Sequence, residues 1–373
     1  MRVHRWDYLA VVASSITLAV ILTPRLLRLA LRRQILDHPS DIKAQASPVP
    51  YLGGIAIVAS FAIVVLLAAL VRPPNSGLDE LGVILGLAVA LAAIGLLDDL
   101  RGLSPWLRLG AEVAAGVAVW ATPAHADVFQ NNALNLIVTT AWIVGVTNAF
   151  NLLDNMDGLS AGVAAIAALF VFLIAVDGGQ FLVATLAIAL AGCAVGFLRS
   201  NFHPARIYMG DAGALFLGFM LAVLCLKLRF PDAPRVIGLF VPVLILGICL
   251  FDTSLVTVNR LIHRRNPLSG GRDHTSHRLV FVGIPVPVTV VLTYVAATTL
   301  GALAYVLSRA DLTTGLVLIG IVVTLAATFG VLLSLVPVYE TSQRRHLMIQ
   351  EVVEHETEPP AGAGSATDEA EAS

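Results

Sequence analysis

The sequence has little charge. Asp, Glu, Lys and Arg make up 13% of its 373 residues, about half of the roughly 25% that is usual in soluble domains. Hydrophobic residues make up 57%. This composition excludes an ordinary soluble protein and indicates a chain that crosses a membrane several times. The net charge of −2 decides little, because in such a chain the positions of the charges matter more than their sum.

The sequence also has few cysteines and lacks a cleavage site near its start. Its three cysteines, Cys193, Cys225 and Cys249, lie inside apolar runs without metal-ligand spacing, which predicts free, packed thiols and no disulfide. The N-terminal apolar run, residues 8–29, leads into "RLLRLALRR" and not into the small residues of a cleavage site. We therefore predict that this run is retained as the first membrane span.

Eleven apolar runs have about the length that a helix needs to cross a bilayer, roughly 20 residues. They predict an all-α, polytopic membrane protein in which residues 1–340 form one integral membrane domain. Residues 341–373 are predicted to be a largely disordered cytoplasmic tail, because their end is acidic and rich in Ala, Gly, Ser and Pro. The predicted spans are 8–29, 51–71, 80–97, 106–122, 134–152, 158–176, 181–198, 212–228, 236–258, 283–307 and 315–338.

The basic residues predict the orientation of these spans. With the N-terminus outside, sixteen of the 23 Lys and Arg residues fall in inside segments and seven in outside segments. Cytoplasmic loops are the ones enriched in Lys and Arg. We therefore predict a multi-pass protein of the cell membrane with its N-terminus outside and its C-terminus in the cytoplasm.

The unusual polar sequences are concentrated in the predicted cytoplasmic loops. Acidic residues stand at three span ends: Asp98 with Asp99, then Asp154 with Asp157 in "NAFNLLDNMDGLSAG", and Asp211 in "MGDAG". Each alone has a plain explanation as a solvated helix end, a local turn or an N-cap. Their occurrence on one face, opposite plain outer loops such as "DGGQ", predicts that this face is functional.

A basic loop accompanies these acids on the same predicted face. Clustered carboxylates attract a hard divalent ion, and Mg²⁺ favours one or two carboxylates together with substrate phosphates. A basic loop by itself could contact anionic lipid headgroups, but with the acids it suits phosphate oxygens and indicates phosphoryl transfer. The loop, 260–279, contains Arg264, Arg265, Arg272 and Arg278 with His263, His274 and His277, against the single acid Asp273.

In this order, the motifs resemble those of the polyprenyl-phosphate N-acetylhexosamine-1-phosphate transferases, glycosyltransferase family 4. The resemblance runs from about Asp37 to Leu279. The matching positions are Asp37, Pro39, Lys43 and "PVPYLGG" in the first loop; Asp98 and Asp99; Asn148, Asn151 and Asp154 of an N-x-x-N-x-x-D motif, with Asp157 following; Pro204, Ala205, Gly210 and Asp211; and His274 and His277.

The resemblance implies that a UDP-amino sugar and polyprenyl phosphate give polyprenyl diphosphate-sugar and UMP, as the first membrane step of cell-envelope polysaccharide synthesis. It also implies a cytoplasm-facing active-site cleft, Mg²⁺ or Mn²⁺ as cofactor, and membrane lipids but no nucleic acid as partners; a homodimer stays open. The implied catalytic residues are Asp98, Asp99, Asp157, His274 and His277, the substrate-binding residues are Lys43, Asn148, Asn151, Asn201, Arg264, Arg272 and Arg278, and the metal ligands are Asp154 and Asp211.

Four positions depart from the family pattern. Gln45 and Tyr51 stand where many relatives have His and Arg, Asn155 replaces a Gly between two aspartates, and Ser276 interrupts the histidines to give "HTSH". The muramoyl-pentapeptide branch of the family has three consecutive histidines there. The loop therefore favours the UDP-N-acetylglucosamine branch, with the muramoyl-pentapeptide transferase as the alternative.

Three rival classes fit the sequence less well. "DNMDGLSAG" begins like the motif of CDP-alcohol phosphatidyltransferases, but Gly162 stands in place of the motif's Arg and the later paired aspartates are missing. A transporter usually places ionisable groups near the bilayer midplane, whereas these acids lie at span ends and the span centres read as apolar. A structural scaffold would not need four charged motifs on one face.

Overall fold

The computed structural model describes residues 5–37, 48–72, 77–267 and 270–339. Within these residues the chain is helical apart from one short two-stranded sheet, which confirms the all-α membrane architecture. Lys43 and Gln45 of the first loop, and the predicted tail 341–373, lie outside the described residues. The helices are α1 (Arg5–Arg33), α2 (Gly53–Val71), α3 (Leu78–Arg101), α4 (Pro105–Trp120), α5 (Asn132–Leu153), α6 (Leu159–Asp177), α7 (Phe181–Asn201), α8 (Gly210–Lys227), α9 (Arg235–Ile245), α10 (Gly247–Ile262), α11 (Thr275–Phe281), α12 (Val286–Leu307) and α13 (Leu312–Ser334).

Each predicted span corresponds to a helix, with two differences. In the described part of the chain, nine helices are long and apolar enough to cross a membrane. The run 106–122 forms only the 16-residue α4, which is about 24 Å long at 1.5 Å per residue. The prediction of one continuous span over 236–258 is wrong: α9 and α10 meet at Leu246 with a bend of 78°. Pro242 lies inside α9, four residues before the break, where it removes the N–H that would bond the Gly238 carbonyl.

The centre of the bundle is α8. Nearly all of its residues are buried, and it packs between α2, α3, α5 and α6. Small residues permit this close packing. A Cβ at Gly54 of α2 would lie 2.2 Å from the backbone nitrogen of Gly213, and a Cβ at Gly95 of α3 would lie 2.5 Å from the carbonyl oxygen of Asp211. The α3 and α8 backbones therefore approach each other closely beside the acidic residues.

The segments before α2 and α8 are joined by backbone hydrogen bonds. Strands β1 (Leu36–Asp37) and β2 (Val49–Pro50) pair antiparallel, and Tyr51 forms a parallel bridge with Tyr208. The backbone N–H groups of Gly53 and Gly54 donate to the carbonyls of Tyr208 and Met209, both at 2.9 Å. Residues 49–54, the described end of the first loop, are thereby held against the turn that leads into α8.

Candidate active site

The C-terminal end of α3 meets the N-terminal end of α8. The Asp99 carboxylate accepts the backbone N–H of Asp211 at 3.0 Å and that of Ala212 at 3.3 Å. These are N–H groups that have no partner within their own helix, and a negative charge is stabilised at a helix N-terminus. Gly210 precedes them with φ +68°, and a Cβ there would lie 2.5 Å from Asp99 Oδ2. A glycine at position 210 is therefore required for this contact.

One arginine connects two of the predicted acids. Arg108 Nη1 donates to Asp98 Oδ2 at 3.1 Å and to Asp211 Oδ2 at 3.0 Å. The other Asp98 oxygen accepts the Leu103 N–H at 2.6 Å, in the turn that ends α3. The guanidinium thus bridges α3 and α8 from the first turn of α4 and offsets part of their negative charge.

The two predicted asparagines of α5 face the same centre. Asn151 Nδ2 donates to Asp211 Oδ1 at 2.7 Å, so that both oxygens of this carboxylate have a donor. Asn148 lies one turn earlier, and its amide donates to Oε2 of the buried Glu112 on α4. The N-x-x-N spacing therefore places both amides on one helix face, each on a different carboxylate.

Asp154 directly follows α5, and none of the described residues donates a hydrogen bond to its carboxylate. Burial, together with repulsion from Asp211, Asp99 and Asp157, raises the pKa of Asp154 to about 8. Such a shift shows that several like charges lie close together in a poorly solvated place. Among Asp98, Asp99, Asp154 and Asp211, Asp154 is therefore the acid whose carboxylate has no hydrogen-bond donor within the described residues.

Asp157 and Asn201 hold two loops together. Asp157 Oδ2 accepts from His203 Nδ1 at 2.9 Å and from the Ala205 N–H at 3.0 Å. Asn201 is 3% exposed; its Oδ1 accepts the Gly158 N–H and its Nδ2 donates to the Ile207 carbonyl. The structure thus gives these two side chains a role in supporting the loops after α5 and α7, and their catalytic and substrate-binding roles stay predictions.

The predicted basic loop is organised by buried ion pairs. Arg260 donates to both oxygens of Asp273, at 2.8 and 2.6 Å, and Tyr339 donates its hydroxyl to the same carboxylate at 2.8 Å. Burial alone would raise the pKa of Asp273, but these donors hold it below its ordinary value. His274 is 4% exposed and pairs through Nδ1 with Asp252 of α10 at 2.7 Å.

The loop's remaining predicted residues differ in accessibility. Arg278 is fully buried, and it donates to the carbonyls of Asp273 and Leu333, so it supports the loop and α13. Arg264 and Arg272 are exposed. Burial, followed by the positive charges of His274 and Arg272, lowers the pKa of His277 to about 4.

Among the described residues, a side-chain contact joins the basic loop to the segment that carries Asp154 and Asp157. Ser276 Oγ donates to Asn155 Oδ1 at 2.7 Å. Both residues are departures from the family pattern, and here they contact each other. The structure therefore brings the acids of α3, α5 and α8 into one centre, which we call the acid centre (Asp98, Asp99, Asp154 and Asp211), and places the basic loop beside it.

Comparison with known proteins identifies the family. The model of glycosyl transferase family 4 matches residues 81–229, the part of the chain that supplies the acid centre. Decaprenyl-phosphate N-acetylglucosaminephosphotransferase of Mycolicibacterium smegmatis is 32% identical over 291 residues, which cover 68% of this chain and 71% of the relative. The chain belongs to glycosyl transferase family 4.

Two further relatives represent different activities of this glycosyl transferase family. A protein of Bacillus subtilis named "Probable undecaprenyl-phosphate N-acetylglucosaminyl 1-phosphate transferase" is 29% identical over 318 residues, which cover 83% of this chain and 87% of the relative. Phospho-N-acetylmuramoyl-pentapeptide-transferase of Clostridium botulinum (strain Alaska E43) is 29% identical over 275 residues, 69% of this chain and 83% of the relative. The resemblance inferred from the motifs is thus confirmed at the level of the family.

The acid centre of this family 4 chain has donors that suit Mg²⁺. The described residues contain no group of three or more His, Cys, Asp or Glu side chains arranged to hold a metal by themselves. Mg²⁺ usually needs only one or two carboxylates, because water and substrate phosphates complete its shell. Asp154 supplies a carboxylate without a hydrogen-bond donor, close to Asp211, and these two residues would hold the ion.

Three residues of the site were not predicted from the sequence. Arg108 was counted only as a basic residue, while Glu112 and Asp252 are buried acids inside α4 and α10. The prediction that span centres are apolar is therefore wrong for α4. A signal was present, because an ionisable residue within an apolar run marks a functional site by default. What it pairs with depends on helix packing, which the sequence does not display.

Proposed function

We propose that this protein transfers a sugar-1-phosphate, N-acetylglucosamine-1-phosphate in the first instance, from a UDP-amino sugar to polyprenyl phosphate. One observation supports this more than any other: four aspartates, two on α3, one on α8 and one directly after α5, lie close together, and Arg108 donates to two of them. Arg264 and Arg272 belong to the loop alongside. Phosphoryl transfer needs this combination, since the protein must mainly position groups and neutralise charge. The activities for which the Bacillus and Mycolicibacterium relatives are named are consistent with this sugar.

The proposed reaction is direct displacement at phosphorus. An oxygen of polyprenyl phosphate forms a bond to the β-phosphorus of the UDP-sugar, and the bond between that phosphorus and its bridging oxygen to the α-phosphorus breaks. The electron pair of the broken bond leaves with UMP. Mg²⁺ bound by Asp154 and Asp211 would supply charge neutralisation at the diphosphate.

The chain's own residues have separate tasks in this proposal. Arg108 contacts phosphate oxygens while it bridges Asp98 and Asp211. Asp98 or Asp99 orients the polyprenyl phosphate and accepts its proton, and Asp99 also fixes the start of α8. Arg264, Arg272 and the histidines His274 and His277 contact phosphate or sugar. We further propose that this face of the bundle lies in the cytoplasm.

The test uses the purified full-length protein in detergent or nanodiscs. Polyprenyl phosphate is supplied with radiolabelled UDP-N-acetylglucosamine and Mg²⁺, and labelled lipid and UMP are measured. We expect both products in equal amounts, none in excess EDTA, and recovery with added Mg²⁺ or Mn²⁺. Equal product formation in EDTA would contradict the metal role.

Parallel reactions distinguish the alternatives. UDP-N-acetylmuramoyl-pentapeptide as the better donor would assign the protein to the activity of the Clostridium relative. No lipid product with any UDP-amino sugar, together with uptake of a labelled solute into proteoliposomes, would favour the transporter.

A further inference from the structure

Glu112 is an unexpected residue for the middle of a largely apolar helix. It is the eighth residue of α4, and its side chain is fully buried. Burying a carboxylate away from water is costly unless it is paired and hydrogen-bonded. Glu112 is only partly compensated: Oε2 accepts from Asn148, whereas Oε1 has no hydrogen-bond partner and lies 3.9 Å from Arg108 Nε.

Stability does not explain this arrangement. A buried ion pair with an incomplete set of hydrogen bonds is often no more stable than apolar residues of the same volume. The neighbouring buried positions of α4, Ala115, Gly116 and Val119, are small or apolar. Glu112 therefore interrupts a face that packs well without it, and its contacts indicate another role.

The contacts of Glu112 form part of a closed ring of side chains. Asn148 donates to Glu112, Glu112 pairs with Arg108 one helix turn away, Arg108 donates to Asp211, and Asn151 donates to Asp211. The ring closes on α5, because Asn148 and Asn151 are one turn apart. It connects α4, α5 and α8, and it contains two of the predicted substrate-binding residues.

We propose that Glu112 is a positioning residue, which orients the Arg108 guanidinium and the Asn148 amide for the transfer reaction. Arg108 has a long side chain with many rotamers, so that holding it in one orientation costs conformational entropy. Its contacts with Glu112, Asp98 and Asp211 use Nε and Nη1. With those atoms engaged, Nη2 remains for a phosphate oxygen of the substrate.

The Arg108 guanidinium is shared among three carboxylates. Asp98 and Asp211 accept from Nη1, and Glu112 lies 3.9 Å from Nε. In this proposal Glu112 fixes the orientation of the guanidinium through Nε while Nη1 bridges the two aspartates. This inference rests on the proposed function, because the phosphate and the metal belong to it.

The test is Glu112→Gln, which keeps the shape and an oxygen acceptor for Asn148 but removes the charge. The matched control is Glu80→Gln, which removes an ion pair with Lys227 between α3 and α8 at the opposite end of the bundle. We expect Glu112→Gln to lower kcat by about 10- to 100-fold, as for outer-shell partners of ligating groups, with KM for UDP-N-acetylglucosamine little changed. Glu80→Gln should have the wild-type kcat.

A double-mutant cycle shows whether the effect passes through Arg108. If Glu112 acts by positioning Arg108, then Arg108→Gln with Glu112→Gln will be no slower than Arg108→Gln alone. Multiplicative effects of the two substitutions would overturn the proposal, as would a wild-type kcat for Glu112→Gln. The melting temperature of Glu112→Gln should be equal to or above that of the wild type; a large decrease would identify a structural residue.

The same experiment separates this inference from the proposed function. If the wild-type protein transfers sugar phosphate and Glu112→Gln is equally active, only the positioning role is contradicted. If the wild-type protein has no transferase activity, the proposed function is contradicted. The double-mutant cycle is then carried out with the melting temperature as the measured quantity. Non-additive changes in melting temperature for Glu112→Gln and Arg108→Gln would support the pairing of Glu112 with Arg108, and additive changes would overturn it.

Discussion

The Asp99 carboxylate accepts the backbone N–H of Asp211, a residue 112 positions later in the chain. This single contact joins two of the sequence motifs and fixes the end of α3 against the start of α8. It also sets the direction in which the Asp211 side chain leaves its helix, toward Arg108 and Asn151. The acid centre therefore depends on helix packing as much as on the acids themselves.

The carboxylates of Asp99 and Asp154 should be essential for different reasons. Asp99→Asn removes charge and one of two acceptors from the α8 N-terminus, whereas Asp154→Asn removes an acid that has no described hydrogen-bond donor. We expect each variant to lower kcat by orders of magnitude, with the melting temperature lowered only for Asp99→Asn. Asp127→Asn, an exposed control at the opposite end, should have normal kcat. Near-wild-type rates for Asp99→Asn and Asp154→Asn would contradict the site assignment.

Gly210 offers a test of the Asp99 contact. Gly210→Ala places a Cβ 2.5 Å from Asp99 Oδ2 on a backbone with φ +68°. Gly102→Ala is the matched control, since Gly102 has φ +64° but nothing within 4 Å of its Cβ position. Both should lose about 1–2 kcal/mol of unfolding free energy from the left-handed conformation. Only Gly210→Ala should also lose turnover. Equal activity of both variants would show that displacement of Asp99 is harmless.

The low pKa of His277 predicts a pH dependence of stability. Its pKa of about 4 in the folded protein lies below the ordinary 6.5. As the pH falls, His277 is therefore protonated in the unfolded state at a higher pH than in the folded state. The stability contributed by neutral His277 is present above pH 6.5 and is lost as the pH falls toward 4, with a ceiling of about 3 kcal/mol. His277→Gln should therefore show a smaller fall in melting temperature between pH 7 and pH 4 than the His125→Gln control. An identical fall in both variants would exclude this contribution.

Sidedness can be tested with the native cysteines in place, because all three are buried. Asp127→Cys places a thiol in the loop before α5, and Arg206→Cys places one in the loop before α8, where the acid centre lies. A membrane-impermeant maleimide should label Asp127→Cys in intact cells and Arg206→Cys only after permeabilisation. The reverse labelling pattern would show that the orientation predicted from the basic residues is wrong.

Much of the architecture could be predicted because its signals are local. The length of an apolar run predicts a span regardless of its neighbours, and every predicted run is helical in the structure. The break at Leu246 was missed because a proline in a long apolar run can be tolerated or can end a helix, and packing decides which. Asn201 illustrates the same limit: the family resemblance implied a substrate-binding role, which stays a prediction, and only the structure shows that its two polar side-chain atoms bond the loops after α5 and α7.

The sequence by itself determined that this protein is a helical membrane protein with acids at one set of span ends, and its motifs determined the family. Only the tertiary structure decided which acids meet, that Arg108 lies between Asp98 and Asp211, and that Glu112 belongs to the site. The reason is physical. Hydropathy is a property of a short segment, whereas a contact between side chains far apart in sequence exists only after the helices have packed.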